Sequence, residues 1–195
     1  MADPKSQIKM KHLLLLIFAA IFIFFDHQLG YTAASPWWTH ITYNFQHANL
    51  WHLILNSLSF FYLFRALERY SMPRFIVFCS LLSAFIASFF CIYEQPVVGA
   101  SGMVYAMVGM YFAILLKNRK KRKPATLPFA KGEYHRFTVG RGYFNISPTL
   151  VFVISVITFL TIGFFKTNIA AMLHLLSFII GFTIMFILQL VNRNS

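Results

Sequence analysis

Apolar positions in this chain run in long unbroken stretches rather than alternating, and polar positions collect in the short segments between them. A hydrocarbon core about 30 Å thick needs about 20 apolar residues in helical form. Six stretches approach that length: roughly 11–29, 50–69, 74–93, 98–116, 148–165 and 169–190. Pro73 stands at the start of the third, where a helix tolerates proline. In the first, lysines, an apolar core from Leu13 to Phe25 and then Thr32-Ala33-Ala34-Ser35 resemble a cleavable signal. The gap from Phe25 to Ala34 is long for one, so a retained helix is expected. The pattern predicts an all-α polytopic membrane protein, a single domain over residues 1–195 with six spans and a basic connection at 117–147.

Composition agrees, since 58% of residues are hydrophobic and only 11% charged. A net charge of +12 would suggest nucleic acid in a soluble chain. Here the basic residues sit in particular connections instead. Lys5, Lys9 and Lys11 precede span 1, and Arg65, Arg69 and Arg74 bracket the turn between spans 2 and 3. Nine more lie in 117–141, Arg193 follows span 6, and only Lys166 falls on the other side. The positive side is cytoplasmic, so both termini are expected inside, as in a bacterial inner-membrane protein. The run Arg119 to Lys123 could meet anionic lipid, although a topology-fixing role is the simpler reading. No nucleic-acid partner is expected. Cys79 and Cys91, twelve residues apart on one span, are about 18 Å apart along a helix and read as packing residues. The aromatic outer loop, with Tyr31, Trp37, Trp38 and Tyr43, suits the membrane interface.

Polar groups inside the spans change the picture. Counting helical rise from the cytoplasmic ends, Ser101 stands roughly 24 Å up, His174 roughly 27 Å, His52 roughly 25 Å and Asn56 roughly 20 Å. All four share one depth. His52 and Asn56 are four residues apart on one helix face, as are Ser101 and Tyr105. His47, nine residues before Asn56, does not share that face. Gly102 and Ala106 on span 4, and Ser177 and Gly181 on span 6, have the small-residue spacing that lets helices approach closely in lipid. Singly, each residue has an ordinary explanation: a serine bonding the preceding turn, a structural histidine, an asparagine acting as interhelical glue. The coincidence of depth points to chemistry, with Ser101 as nucleophile and a histidine as base. No HExxH is present, and Asp3 and Asp26 are the only aspartates, so zinc and aspartate-pair proteolysis are not expected. A three-histidine metal site lacks a carboxylate or thiol aimed at it. No metal and no cofactor are expected.

These residues resemble the rhomboid family of intramembrane serine proteases. The likeness rests on His47-x4-His52-x3-Asn56 on span 2, Gly99-x-Ser101-Gly102 at the start of span 4, and a histidine on span 6. Glu68 also matches a family position. The resemblance implies a Ser101–His174 dyad, with His52, Asn56 and the Ser101 N–H stabilising the oxyanion. It implies that Tyr105 packs on the His174 ring, that His47 orders the first outer loop, and that the substrates are transmembrane proteins. Gly99, Gly102 and Gly181 are the supporting glycines. Two departures stand out. Ser177 takes the place where the family often has glycine, and Trp37-Trp38 lacks the arginine that often follows tryptophan in that loop. With no added soluble domain expected, the chain resembles the minimal six-helix form. The alternative is a rhomboid-like pseudoprotease that binds transmembrane segments without cutting them. Such proteins usually lack the serine or the histidine. A small transporter would predict internal repeats and more intramembrane charge.

Overall fold

The computed structural model describes residues 4–25, 29–91, 94–119, 135–139, 142–146 and 169–191. Helix α1 covers Pro4–Phe24, a short α2 covers Thr39–Thr42, and a 3₁₀ turn follows at Tyr43–Phe45. Then come α3 at Leu50–Leu67, α4 at Pro73–Phe89 and α5 at Ser101–Arg119. The last helix, α6, is Ile169–Val191. Strands β1 (His135–Val139) and β2 (Gly142–Ile146) pair antiparallel between α5 and α6, Phe137 opposite Phe144. The membrane bundle is all-helical, and the hairpin is a small addition in the basic connection that the helical pattern did not predict. Its strands are rich in β-branched and aromatic residues, Phe137, Thr138, Val139, Tyr143, Phe144 and Ile146, a strand composition. Expected span 5 and residues 120–123 lie outside the described residues.

Helix limits follow local chemistry. The Asn49 side chain accepts the His52 N–H at 2.9 Å and so caps α3. Pro73 occupies the first turn of α4 after an extended Met72. Three helices differ from expectation in their limits. α1 begins at Pro4 and stops at Phe24 rather than spanning 11–29, because lysines on a helix do not end it. α4 stops at Phe89, where Phe90 N–H turns back to the Ala87 carbonyl. α5 starts at Ser101 and not at 98, because Gly99 has φ 122° and cannot be helical.

α5 is the axis of the bundle. Gly102 through Tyr111 are buried without interruption, and the helix touches α3, α4 and α6. A helix apolar on every side is one surrounded on every side. α6 is one-sided. Leu173, His174, Ser177, Gly181 and Met185 are buried, while Leu175, Ile179, Ile187 and Leu190 are exposed, as lipid-facing residues are. Leu50–Leu67 and Ala171–Val191 are long and apolar enough to cross a membrane by length and composition; Met10–Phe24, Pro73–Phe89 and Ser101–Leu116 are shorter apolar helices.

Two expectations about placement are corrected. Lys11, read as one of the positive residues ahead of span 1, is 4% exposed and bonds Glu68 at 2.9 Å, tying α1 to the end of α3. Tyr31 and Tyr43, expected at the interface with Trp37 and Trp38, are completely buried, while the tryptophans are exposed. Both cysteines are buried thiols.

Candidate active site

The serine is set by the turn that precedes it. Val97 forms an isolated antiparallel bridge with Tyr31, with hydrogen bonds of 3.0 and 3.2 Å. The Gly99 N–H donates to the Tyr43 carbonyl at 2.9 Å, and the Ala100 N–H points at His47 Nε2 from 3.4 Å. Glycine is required at 99 twice over. Its φ of 122° disfavours any side chain, and a Cβ there would lie 2.5 Å from the His52 ring. Chain direction reverses at this point and α5 begins at once, placing Ser101 in its first turn.

His174 arrives from α6 because α5 and α6 pack backbone against backbone. A Cβ on Gly181 would strike the Ala106 carbonyl, and one on Gly109 would strike the Phe178 carbonyl. At this separation His174 Nε2 lies 2.8 Å from Ser101 Oγ, within reach for proton transfer. The Tyr105 ring stacks on the imidazole, centroids 4.3 Å apart and planes at 24°. His174 is buried, at 8% exposure, while Ser101 is only partly buried and so keeps a side open to substrate and water.

The third contribution comes from α3. The His52 ring lies over Gly99, and Asn56 Nδ2 would be 3.4 Å from a Cβ at that glycine. Asn56 is buried, and its Nδ2 has no hydrogen-bond partner among the described residues. An amide donor held dry and unsatisfied costs free energy unless something negative is meant to meet it. His47 stands behind, its ring edge-on to His52 at 5.4 Å. Burial, and secondarily the proximity of His52, lower its pKa to about 4. A neutral imidazole at position 47 keeps the lone pair that faces the Ala100 N–H.

The structure thus brings together Ser101, His174, Tyr105, His52, Asn56, His47 and Gly99. Gly102 goes elsewhere. Its expected role was to admit α6, but a Cβ there would meet Tyr43 Oη at 2.7 Å and Ala84 Cβ at 3.0 Å, on the opposite side. The close approach to α6 belongs to Ala106, Gly109 and Gly181. Gly109 was not anticipated, although it lies three residues beyond Ala106. Ser177 is fully buried in the same seam, its Oγ unpartnered among the described residues. Tyr43 and Tyr31 were missed as site-building residues because they lie in loops where no periodicity marks a buried face.

A helical bundle with a part-buried Ser–His contact, a spare amide donor beside it and exposed apolar surfaces defines a class: membrane-embedded proteins built around a serine. Residues 34–190 match the family model described as the Rhomboid domain. The chain belongs to the rhomboid family and is therefore an integral membrane protein. It is 33% identical over 101 residues to the Bacillus subtilis (strain 168) protein named "Putative rhomboid protease YdcA". That match covers 48% of this chain and 51% of the relative, so it spans about half the length of each.

Proposed function

We propose that this protein is an intramembrane serine endopeptidase that cleaves in or beside the transmembrane segments of other membrane proteins. The observation that carries this reading is the 2.8 Å contact between Ser101 Oγ and His174 Nε2, in a family with a relative named as a protease. In the proposed reaction His174 Nε2 takes the Ser101 proton as Oγ attacks the scissile carbonyl carbon. The tetrahedral oxyanion is met by Asn56 Nδ2, His52 and the Ser101 N–H at the start of α5, where the helix dipole adds positive potential. His174 then gives its proton to the leaving amine, and water releases the acyl group by the same steps in reverse. Tyr105 takes the orienting role that an acidic third member has in a triad.

The distribution of basic residues supports cytoplasmic termini and a site toward the outer leaflet, consistent with a bacterial inner membrane. Residues 117–123 would then face anionic headgroups. A peptide bond in a helix is shielded by its neighbours, so substrates with Gly or Pro in the cut segment should be preferred.

The test is cleavage of a single-span reporter by purified protein in liposomes, beside Ser101→Ala and His174→Ala. Cutting by the parent and by neither variant supports the dyad. Equal cutting by all three sinks it, and binding of several reporters with no cutting by the parent points to a pseudoprotease.

A further inference from the structure

One residue outside the proposed chemistry touches the chain on both sides of the serine, through its backbone carbonyl on one side and its side chain on the other. Tyr43 lies in the 3₁₀ turn before α3 and is completely buried. Its carbonyl accepts the Gly99 N–H at 2.9 Å, two residues before Ser101. Its phenol oxygen occupies the space where a side chain at position 102 would begin, one residue after Ser101. That same phenol donates to the Ala84 carbonyl on α4 at 3.2 Å. The ring meets Tyr31 edge-on at 4.8 Å, and Tyr31 is the residue bridged to Val97. The outer loop, the turn at 97–100, the first turn of α5 and the middle of α4 therefore converge on one residue.

Nothing else among the described contacts spans the serine in this way. Gly99, at φ 122°, lies beneath the His52 ring, so any slip of this turn moves Ser101 relative to α3 as well as to His174. Gly102 acquires a specific reason to be glycine: it makes room for the phenol and not for α6. We propose that Tyr43 is a positioning residue for the nucleophile: its phenol, anchored on Ala84, fills the space at Gly102 and fixes the residue whose own carbonyl holds Gly99, and it touches no reacting atom. Its influence depends on registering Ser101 to within a fraction of an ångström, since a 1 Å misplacement can cost about 100-fold in rate. The assignment of Ser101 as nucleophile rests on the proposed protease reading; the placement of the turn by Tyr43 does not.

The experiment compares the parent, Ser101→Ala, Tyr43→Phe, Gly102→Ala and the Tyr43→Phe/Gly102→Ala double variant, all purified and in liposomes. Tyr43→Phe keeps the ring and loses the Ala84 bond. It should lower kcat about 10-fold with KM within about twofold. Gly102→Ala should lower kcat about 100-fold in the parent, where the new methyl meets the phenol, but about 10-fold in the Tyr43→Phe background, where the oxygen is gone and the tight approach to Ala84 remains. That rescue shows that the phenol and position 102 share one space, as contacting residues do. The decisive signature is the loss in kcat with KM little changed for Tyr43→Phe, together with faster exchange at Gly99. Hydrogen exchange at Gly99 to Ser101 is followed in parallel and should be faster in Tyr43→Phe. Full activity of Tyr43→Phe, additive losses in the double variant, or unchanged exchange at Gly99 would each overturn the proposal. If the parent does not cut the reporter, or Ser101→Ala cuts as well as the parent, the protease reading fails instead, and the exchange measurement alone decides the role of Tyr43.

Discussion

His174 is held from two directions, by the Ser101 hydroxyl at 2.8 Å and by the face of Tyr105 at 4.3 Å. The stack needs a ring and not a phenol. Tyr105→Phe should keep most of the cleavage activity, whereas Tyr105→Ala should lose about 10- to 100-fold through misorientation of the imidazole. Steady-state cleavage of the reporter by the two variants distinguishes them. Asn56→Ala should slow turnover by about 100- to 1000-fold with little change in KM, as expected for a donor that meets charge only in the transition state. His47 makes a different prediction, about stability. In the unfolded chain it titrates near its ordinary value of about 6.5, while burial holds the folded pKa at about 4. Below about pH 6.5 the unfolded state binds the proton first, so stability is greatest above that value and falls as pH drops toward 4. Unfolding temperature against pH in detergent should show this decline, and a His47→Gln variant should show less of it.

Among the elements, the seam between α5 and α6 is the most sensitive to size. Gly181 and Gly109 place backbone against backbone, and no side-chain movement can make room there. Gly181→Val should push the helices apart, costing about 1–3 kcal/mol by overpacking and separating His174 from Ser101. Activity should vanish before the fold does, and circular dichroism beside a cleavage assay tests that order. The Lys11–Glu68 pair joins α1 to α3 at low exposure, with the ammonium 5.3 Å from the centroid of the Phe61 ring. Lys11→Met alone leaves a buried carboxylate without its cation and should cost about 3–5 kcal/mol. Removing both charges with Lys11→Met/Glu68→Met should recover most of that loss. Thermal unfolding of the three proteins in detergent measures both numbers.

At the scale of the molecule, the helical bundle was legible because lipid demands long apolar runs, and such runs are hard to mistake. Four of the six expected spans coincide with described helices to within four residues, a fifth overlaps α1 but misses both its ends, and the expected span 5 lies outside the described residues. The misses at α5 and α4 have different causes: Gly99 is held by a tertiary bond to the Tyr43 carbonyl, and Phe90 closes α4 by a local turn back on Ala87. Candidate site residues were readable for a related reason, since a serine, a histidine and an asparagine inside apolar stretches are conspicuous. Tyr31, Tyr43 and Gly109 were not. A tyrosine in an outer loop looks like an interface residue, and a glycine inside an apolar helix looks like many others. Their importance lies in which backbone they face, and only the packed structure defines that.

The bilayer does not reach every helix equally. α5 carries the serine and is shielded along Gly102 to Tyr111 by its neighbours, so changing lipid chain length has no direct hold on it. α6 carries the histidine and presents Leu175, Ile179, Ile187 and Leu190 outward. A thicker or thinner membrane would therefore act first on α6, and reach α5 only through the close seam at Ala106, Gly109 and Gly181. Under the proposed protease reading, lipid thickness becomes a control on the geometry of the dyad, exerted first through one helix.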